Sequence, residues 1–325
     1  MNNKGRGRSD KPKSGWVKPD GKPMRKRKGK FFPDEEIEKG KRRARGGSEK
    51  RDSGTSGRRR PEETSSRSGG RNPDRASHLD NVNEEVRLNK FIANTGTCSR
   101  READELIIAG VISINGEVVT ELGTKVQPGD VVKYNGESIK TERLVYVLLN
   151  KPKDFITTMD DPQERKTVMS LVSKACKERI YPVGRLDRNT TGLLLLTNDG
   201  DLTKKLTHPS YKIRKLYSVE LDSNLTKEDM NRLSAGVELD DGVSKADQIA
   251  WENPDIKSKV GVELHSGKNR IVRRMFEVLG YTVKKLDRVV FAGLTKKDLP
   301  RGRWRFLTEM EVNMLKMTTG SKKRT

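Results

Sequence analysis

The chain is short of the residues that build disulfide frameworks, metal centres and membrane spans. Its 325 residues include only two cysteines, Cys98 and Cys176, and three histidines. Two cysteines are too few for a disulfide framework and indicate a reducing compartment, and their spacing to the histidines matches no zinc site. No apolar run approaches the roughly 20 residues that span a bilayer, and the N-terminus lacks the apolar core of a signal peptide. We therefore expect a cytoplasmic protein without a membrane partner.

Positive charge is abundant by contrast. The chain has 68 Lys+Arg against 46 Asp+Glu, a net charge of +22. Residues 1–80 hold 25 Lys+Arg and 12 Asp+Glu, which gives this segment +13, and the remainder is also basic. Such a charge is expected of a protein that binds a polyanion. An anionic membrane surface is the weaker alternative, because the basic segment has no amphipathic apolar face.

Residues 1–82 are predicted to form a disordered basic tail. They are rich in Gly, Ser, Lys and Arg and contain few apolar residues, so they cannot bury enough surface to offset the entropy of ordering. Basic blocks at residues 25–28, 41–45 and 58–60 are suited to contact phosphates without reading sequence. The alternative is a solubilising tail that has no specific partner.

A small folded unit is predicted to follow from Val86. Apolar residues recur there at helical spacing as far as Gly96. Ser99 and Glu102 then form a capping-box pattern at the start of a second helix, and the Asn115-Gly116 pair predicts a hairpin. A further turn and strand complete the pattern.

This order of helix, helix, hairpin and strand over residues 86–140 resembles the S4 RNA-binding domain. The resemblance implies an RNA-binding surface on or near the two helices, to which Arg87, Lys90, Arg100 and Arg101 would contribute. The alternative is a small solvated domain with ordinary surface arginines.

A polar elbow within residues 181–195, YPVGRLDRNTTGLLL, joins two apolar segments. Asp187 lies in it between Arg185 and Arg188, and a glycine brackets the elbow on each side. Flanking strands would hold such a loop rigidly, and the guanidinium groups favour an ionised carboxylate. The residues alone allow two interpretations: a catalytic carboxylate, or an aspartate that caps a turn or pairs with an arginine for stability.

The elbow belongs to a second predicted domain, residues 144–315, after which residues 316–325 are expected to form a basic C-terminal tail. Many strands between short helices, with few regular βαβ alternations, predict a mixed, largely antiparallel α+β domain. The predicted strands lie at 145–151, 180–183, 193–196, 215–221, 237–239, 246–251, 260–264, 283–294 and 302–308, and the predicted helices at 167–175, 202–206, 226–235 and 267–280.

Three motifs of this domain resemble those of the pseudouridine synthases, in the branch that modifies ribosomal RNA. They are GRLDRNTTGLLLLTNDGDL around Asp187, KLY with Tyr217, and GKNRIVRRM at residues 267–275. Their order, behind an S4-like unit, makes the resemblance specific. It implies isomerisation of a uridine to pseudouridine with no metal and no organic cofactor.

The resemblance also implies a role for each matching residue. Asp187 falls at the position of the nucleophile, Tyr217 at the aromatic that stacks on the target base, and Arg273 at the basic residue that pairs with the catalytic carboxylate. Arg185 would help to hold the flipped-base pocket open or filled. Taken alone, Tyr217 reads as an ordinary strand aromatic and Arg273 as a residue that faces solvent or phosphate. Arg270 and Arg274 are further candidates for RNA contact.

The substrate is expected to be ribosomal RNA or a ribosomal-subunit assembly intermediate, bound by a monomer. The segments GKNRIVRRMFEVLG and LPRGRWRFL are most similar to members of the family that modify the large subunit (23S) RNA; the long basic N-terminal segment is not part of the shared pattern. A small-subunit (16S) target and a non-catalytic S4-type RNA-binding or assembly protein are the alternatives. The acid pairs at 160–161 and 240–241 lack supporting metal ligands and are typical of turns.

Overall fold

The computed structural model describes residues 16–17, 23–27, 30–33 and 85–320. Residues 85–320 form a small N-terminal domain followed by a larger α+β domain. Among these described segments, no helix combines the length and apolarity needed to cross a membrane. The same segments contain no cluster of three or more His, Cys, Asp or Glu side chains arranged to hold a metal ion.

Three short strands lie in the segment that was predicted to be disordered. They are β1 (Trp16–Val17), β2 (Pro23–Arg27) and β3 (Lys30–Pro33). β2 and β3 form a hairpin, and β1 pairs with the edge of the large sheet at Trp251. A free sheet edge offers backbone partners to a short segment that has no core of its own, and the disordered tail stays a prediction for residues 1–82. The basic blocks at 41–45 and 58–60 lie outside the described residues.

The small domain has the predicted helix–helix–hairpin order. Ser99 caps the second helix: its hydroxyl accepts from the Glu102 N–H at 3.3 Å, and the Glu102 carboxylate accepts from the Ser99 N–H at 2.7 Å. Asn115 and Gly116 both adopt positive φ in the hairpin turn, as a two-residue hairpin requires. The elements are β4 (Val86–Arg87), α1 (Leu88–Asn94), α2 (Arg100–Ile108), β5 (Ile112–Ile114), β6 (Glu117–Val118), β7 (Lys125–Val126), β8 (Val132–Tyr134) and β9 (Glu137–Ser138).

The large domain begins with a fully buried strand and ends with a helix. Its elements are β10 (Tyr146–Lys151), α3 (Val168–Val172), β11 (Tyr181–Pro182), β12 (Thr191–Thr197), α4 (Gly200–Thr207), β13 (Lys215–Leu221), α5 (Lys227–Ala235), β14 (Gln248–Trp251), β15 (Lys259–Leu264), α6 (Ile271–Glu277), β16 (Val283–Phe291), β17 (Leu294–Thr295), β18 (Trp304–Phe306) and α7 (Glu309–Gly320).

One continuous sheet runs through this domain in the order β18-β10-β12-β16-β13-β15-β14-β1-β2-β3, with β11 beside β12 and β17 beside β16. All of its pairs are antiparallel except β12 with β16. Those two strands meet only at Thr191–Asp287 and Gly192–Arg288. The mixed, largely antiparallel α+β domain is thereby confirmed, and its two halves join at a short parallel seam.

The strand that leaves the elbow is buried on both faces. Leu193 and Leu195 pack in one apolar cluster with residues of α4 and α7, whereas Leu194 and Leu196 pack in another with residues of α3. Alternate residues of a strand point to opposite faces, so a run of four leucines serves both layers. This strand gives the elbow a rigid support.

Three elements differ from the sequence prediction. α6 begins at Ile271 rather than at residue 267, because Arg270 adopts a left-handed φ of 46°. Residues 237–239 contribute a single bridge between Val237 and Ser244 instead of a strand. The helix α7 was not predicted, and it continues across the domain boundary placed at residue 315. Residues 321–325 of the predicted basic C-terminal tail lie outside the described residues.

Candidate active site

The elbow opens into a pocket of about 460 Å³ at the seam of the sheet. Asp187 is partly buried at this pocket. The opposite wall comes from β13, from β16 and from the loop between β15 and α6. The volume lies in the range of small-ligand pockets, about 300–1,000 Å³. The lining side chains that carry polar chemistry include Arg185, Asp187, Thr190, Lys215, Tyr217, Arg270 and Arg288.

A buried lysine holds the backbone of the elbow from below. Lys151, at the end of β10, is fully buried. Its Nζ lies 2.7 Å from the carbonyl oxygen of Thr190, 3.0 Å from that of Asp187 and 3.3 Å from that of Arg188. Burial lowers the pKa of Lys151 to about 8, and the Asp187 and Asp154 carboxylates oppose this shift. The ammonium group therefore fixes the loop and places positive charge near Asp187.

The two arginines of the elbow are exposed, whereas Lys151 is buried. Arg188 is exposed, and its Nε lies 3.5 Å from the Asp154 carboxylate. Arg185 is exposed as well but lines the pocket. Lys151 is the buried cation whose charge interacts with Asp187. No role was predicted for it from the sequence.

A bulge in the β13–β16 pairing sets the opposite wall. Leu216 pairs with Val290 but Tyr217 pairs with Arg288, so Val289 is left between them. Residues directly opposite in an antiparallel pair share a face of the sheet, and bulges re-aim side chains beside functional sites. Tyr217 and Arg288 consequently both line the pocket.

Arg288 is the buried cation of this wall. It is 3% exposed, its Nε donates to the Leu193 carbonyl at 2.8 Å, and its guanidinium carbon lies 4.6 Å from the centre of the Phe291 ring. Burial lowers the pKa of Arg288, and the nearby Tyr217 hydroxyl opposes the shift. Arginine remains charged even so, because the guanidinium group is not deprotonated in proteins. A fixed positive charge therefore stands beside the predicted stacking residue.

The close approach of β12 and β16 depends on a glycine. Gly192 has a φ of 110°, and a Cβ atom placed on it would lie 2.3 Å from the Arg288 carbonyl oxygen. Only glycine accepts both this backbone conformation and this contact. Gly192 thus lets the Arg288 backbone lie against the elbow strand.

Two of the site residues predicted on the large domain do not line the pocket. Arg273 donates from Nη1 to the Val283 carbonyl at 2.8 Å, and Arg274 binds the Asp241 carboxylate at 2.7 and 3.1 Å. α6 begins at Ile271, and Ile271 and Val272 line the pocket. The next two side chains, Arg273 and Arg274, lie on other faces of the helix and do not line it. The predicted pairing of Arg273 with Asp187 is absent, and Arg288 is the buried cation on that side.

Arg270 lies at the rim of the pocket, and the acid pair at 240–241 binds the loop before α6. Arg270 is exposed at the pocket, with Nη2 3.5 Å from the Glu277 carboxylate. Asp241 accepts hydrogen bonds from Arg274, and Lys268 donates to its carbonyl at 2.8 Å. The Arg274 guanidinium lowers the pKa of Asp241 to about 2. Asp241 of the 240–241 acid pair thus connects its own segment to Lys268 and to Arg274.

The other acid pair also forms an ion pair. Asp161 binds Arg165 at 2.6 and 3.0 Å. The hydrogen bonds from the Arg165 side chain lower the pKa of Asp161 to about 2.

The cations predicted on the small domain lie apart from the pocket. Arg87, Arg100 and Arg101 are exposed, whereas the Nζ of Lys90 pairs with the Asp201 carboxylate of α4 at 2.7 Å. A second cavity, of about 560 Å³, lies beside this ion pair between the two domains and contains none of the predicted catalytic residues. The pocket at the elbow is therefore the candidate active site.

Comparisons with known proteins agree with this geometry. Residues 145–278 match the RNA pseudouridylate synthase family, and residues 86–141 match the S4 domain. The chain is 43% identical to ribosomal large subunit pseudouridine synthase B of Bacillus subtilis over 71% of its own length and 95% of that protein. It is 40% identical to the dual-specificity RNA pseudouridine synthase RluF of Escherichia coli, over 73% of its own length and 80% of that protein.

A solved structure gives the same result. A pseudouridylate synthase crystal structure matches with a TM-score of 0.50 and 28% identity, over 71% of this chain and 99% of that one. With an S4 domain in front of a pocket built on the GRLD elbow, the chain belongs to the RNA pseudouridine synthase family.

Proposed function

We propose that this protein isomerises a specific uridine of the large-subunit ribosomal RNA to pseudouridine, with Asp187 as the nucleophile. The observation that carries the proposal is the convergence of Asp187, Tyr217 and Arg288 on one pocket at the seam of the sheet. The relative from Bacillus subtilis, which is named for the large ribosomal subunit, supports the choice of RNA. The dual-specificity relative leaves room for a second RNA among the substrates.

The pocket suits a nucleotide that has left its stack. Extrusion of a base from a helix costs a few kcal/mol, and stacking on an aromatic side chain returns roughly 1–3 kcal/mol. Tyr217 is 9% exposed and presents its side chain to the pocket. Arg185 at the rim is exposed and is placed to meet the RNA from which the base departs.

The chemistry requires one carboxylate and conserves all atoms. A carboxylate oxygen of Asp187 forms a covalent bond to the nucleotide, at either the ribose or the uracil ring, and the N1–C1′ bond breaks. The base rotates, C5 bonds to C1′, and the Asp187 bond is released. The proton of C5 departs, and N1 gains a proton. The fixed charge of Arg288 can stabilise negative charge that develops in the pocket.

The S4 domain and the basic segments supply affinity for the RNA in this proposal. Arg87, Arg100 and Arg101 face solvent on the small domain, where they are available to phosphates. The domain limits at 144–315, the RNA contacts of the tail, the monomeric state and the cytoplasmic location remain predictions from the sequence.

A map of pseudouridine across both ribosomal RNAs tests the proposal. Cells that lack the protein should lose one large-subunit site, and the wild-type gene should restore it whereas Asp187→Asn should not. Loss of a small-subunit site instead would overturn the choice of RNA but keep the reaction. If every site persists in the deletion strain, ribosomal RNA is not the substrate.

A further inference from the structure

The peptide groups on either side of Leu186, directly before Asp187, have an unusual partner. The Leu186 N–H donates to the Thr157 hydroxyl at 3.3 Å, and that hydroxyl donates to the Leu186 carbonyl at 2.9 Å. Within the described residues, neither backbone group of Leu186 makes another hydrogen bond. One hydroxyl thus satisfies both a donor and an acceptor, which a hydroxyl can do and a methyl group cannot.

The rest of the elbow backbone is held by different groups. Lys151 binds the carbonyls of Asp187, Arg188 and Thr190, and the Asp154 N–H donates to the Arg188 carbonyl at 2.9 Å. Lys151 therefore fixes the loop from Asp187 onward. Thr157 fixes the peptide groups that precede the carboxylate.

Thr157 itself stands on a fixed segment. The neighbouring Ile156 donates its N–H to the Lys166 carbonyl at 2.9 Å and accepts from the Val168 N–H at 2.9 Å, in a bridge directly before α3. The Thr157 side chain lines the pocket. Its hydroxyl is consequently placed before the RNA arrives.

We propose that Thr157 is a positioning residue that sets the backbone from which Asp187 projects. This inference rests on the proposed function, since it concerns the efficiency of the same carboxylate. Leu186 is buried at 6% exposure, so loss of the hydroxyl leaves two backbone groups unpaired in an apolar setting. The loop relieves that cost by moving, and a displacement of about 1 Å at a reacting group can slow a reaction about 100-fold.

Three variants of the full-length protein test the inference. Thr157→Val keeps the shape and removes the hydroxyl, whereas Thr157→Ser keeps the hydroxyl. Thr158→Val is the matched control, because the Thr158 hydroxyl donates to the Asp160 carbonyl at 2.7 Å, away from the elbow. The readouts are kcat and KM for pseudouridine formation on the ribosomal RNA substrate of the wild type, with thermal unfolding as a check on the fold.

The expected result is specific to the hydroxyl. Thr157→Val should lower kcat by about 10- to 100-fold with KM nearly unchanged, because the carboxylate is displaced while the RNA still binds. Thr157→Ser and Thr158→Val should stay within about 3-fold of the wild type. If Thr157→Val unfolds below the assay temperature, Thr157→Ala takes its place with the same expectation.

Two kinds of result would overturn the inference. A kcat for Thr157→Val equal to that of the wild type would show that the loop is held without the hydroxyl. A Thr157→Ser variant as slow as Thr157→Val would show that the methyl group matters instead. An inactive wild type would contradict the proposed function rather than the positioning role, so the two failures are distinguishable.

Discussion

Individual cations hold the walls of the pocket in place. Lys151 donates to three carbonyls of the elbow, and Arg288 pairs with Tyr217 across β13 and β16. Lys215 on β13 donates to the His265 carbonyl at 2.8 Å and to the Ile213 carbonyl at 3.1 Å. Burial lowers the pKa of Lys151 and that of Lys215 to about 8. Each lysine therefore acts as a structural cation whose proton is lost more readily than usual.

These two lysines predict opposite responses of activity and stability to pH. As pH rises through about 8, they lose protons that hold the pocket walls, and kcat should fall. In the unfolded chain their pKa is about 10.4, so above pH 8 the unfolded state binds more protons, and their contribution to the free energy of unfolding rises with pH. Assays of kcat and of thermal unfolding between about pH 7 and 9 check this. A constant kcat, or a kcat that falls only together with the melting temperature, would contradict it.

Tyr217 tests whether stacking or the hydroxyl matters. Tyr217→Phe should keep most of the activity because the ring still stacks, whereas Tyr217→Ala should lose the roughly 1–3 kcal/mol that stacking supplies, seen as a lower kcat/KM. A loss for Tyr217→Phe as large as that for Tyr217→Ala would assign the hydroxyl a chemical role, beside Arg288.

Gly192 predicts a local packing limit. Gly192→Ala should lower the free energy of unfolding by about 2–3 kcal/mol more than Gly242→Ala. Both glycines have positive φ, but an added Cβ at Gly242 meets no atom within 4 Å. Chemical denaturation of the two variants checks the difference. Equal losses would mean that only backbone strain counts and that the contact with Arg288 relaxes freely.

At the scale of elements, local signals predicted some boundaries and missed others. The Ser99–Glu102 capping box predicted the start of α2. The same capping-box pattern occurs at Thr308–Glu311, but no helix was predicted there. The Thr308 N–H donates to the Glu311 carboxylate at 3.0 Å, and the Glu311 N–H donates to the Thr308 hydroxyl at 3.3 Å. α7 was therefore predictable from its first turn.

The α7 cap predicts a measurable stability term. Thr308→Ala should lower the free energy of unfolding by about 1 kcal/mol, since it removes an N-cap hydroxyl. Thr318→Ala is the matched control: this residue is exposed inside the same helix, where alanine is at least as favourable. Equilibrium unfolding in urea gives the free energy of unfolding of both variants. Equal losses would show that the Thr308 hydroxyl does not stabilise α7 as an N-cap.

The site itself was only partly within reach of the sequence. Asp187 and Tyr217 stand in short recognisable motifs, and both lie at the pocket. Arg288 lies in a strand-like stretch without local signal, and it reaches Tyr217 only through a long-range pairing with a bulge. The family resemblance implied that Arg273 pairs with the Asp187 carboxylate. Arg270, with its left-handed backbone, delays the start of α6, and the Arg273 side chain binds the Val283 carbonyl instead. The strand register places Arg288 beside Tyr217, and the residue at which α6 begins directs Arg273 away from the pocket. Tertiary packing decides both.

At the scale of the molecule, the two domains meet through named contacts. The Glu142 N–H donates to the Asn94 carbonyl at the end of α1 at 2.9 Å, and Lys90 pairs with Asp201. Glu142, which lies between the two predicted domains, is thus bonded to the small domain. Of the four small-domain cations predicted to bind RNA, Lys90 is paired with the large domain. The three exposed arginines are left to meet phosphates.

Salt dependence tests this division of roles. Removal of two phosphate contacts by Arg87→Ala with Arg101→Ala should reduce the slope of log Kd against log salt by about 2. Lys285→Ala is the control, because Lys285 is exposed on the large domain and pairs with Glu220 at 3.0 Å. Binding of ribosomal RNA over a salt series gives both slopes. An unchanged slope for the double variant would remove these arginines from the RNA interface.

The most direct test of the account is a turnover assay with purified protein. Ribosomal RNA transcripts are incubated with a small amount of wild type or of Asp187→Asn, and pseudouridine is quantified by site. We expect the wild type to convert one uridine over many turnovers, and Asp187→Asn to bind the same RNA without product. Multiple turnover by Asp187→Asn would contradict the nucleophile at the centre of this account.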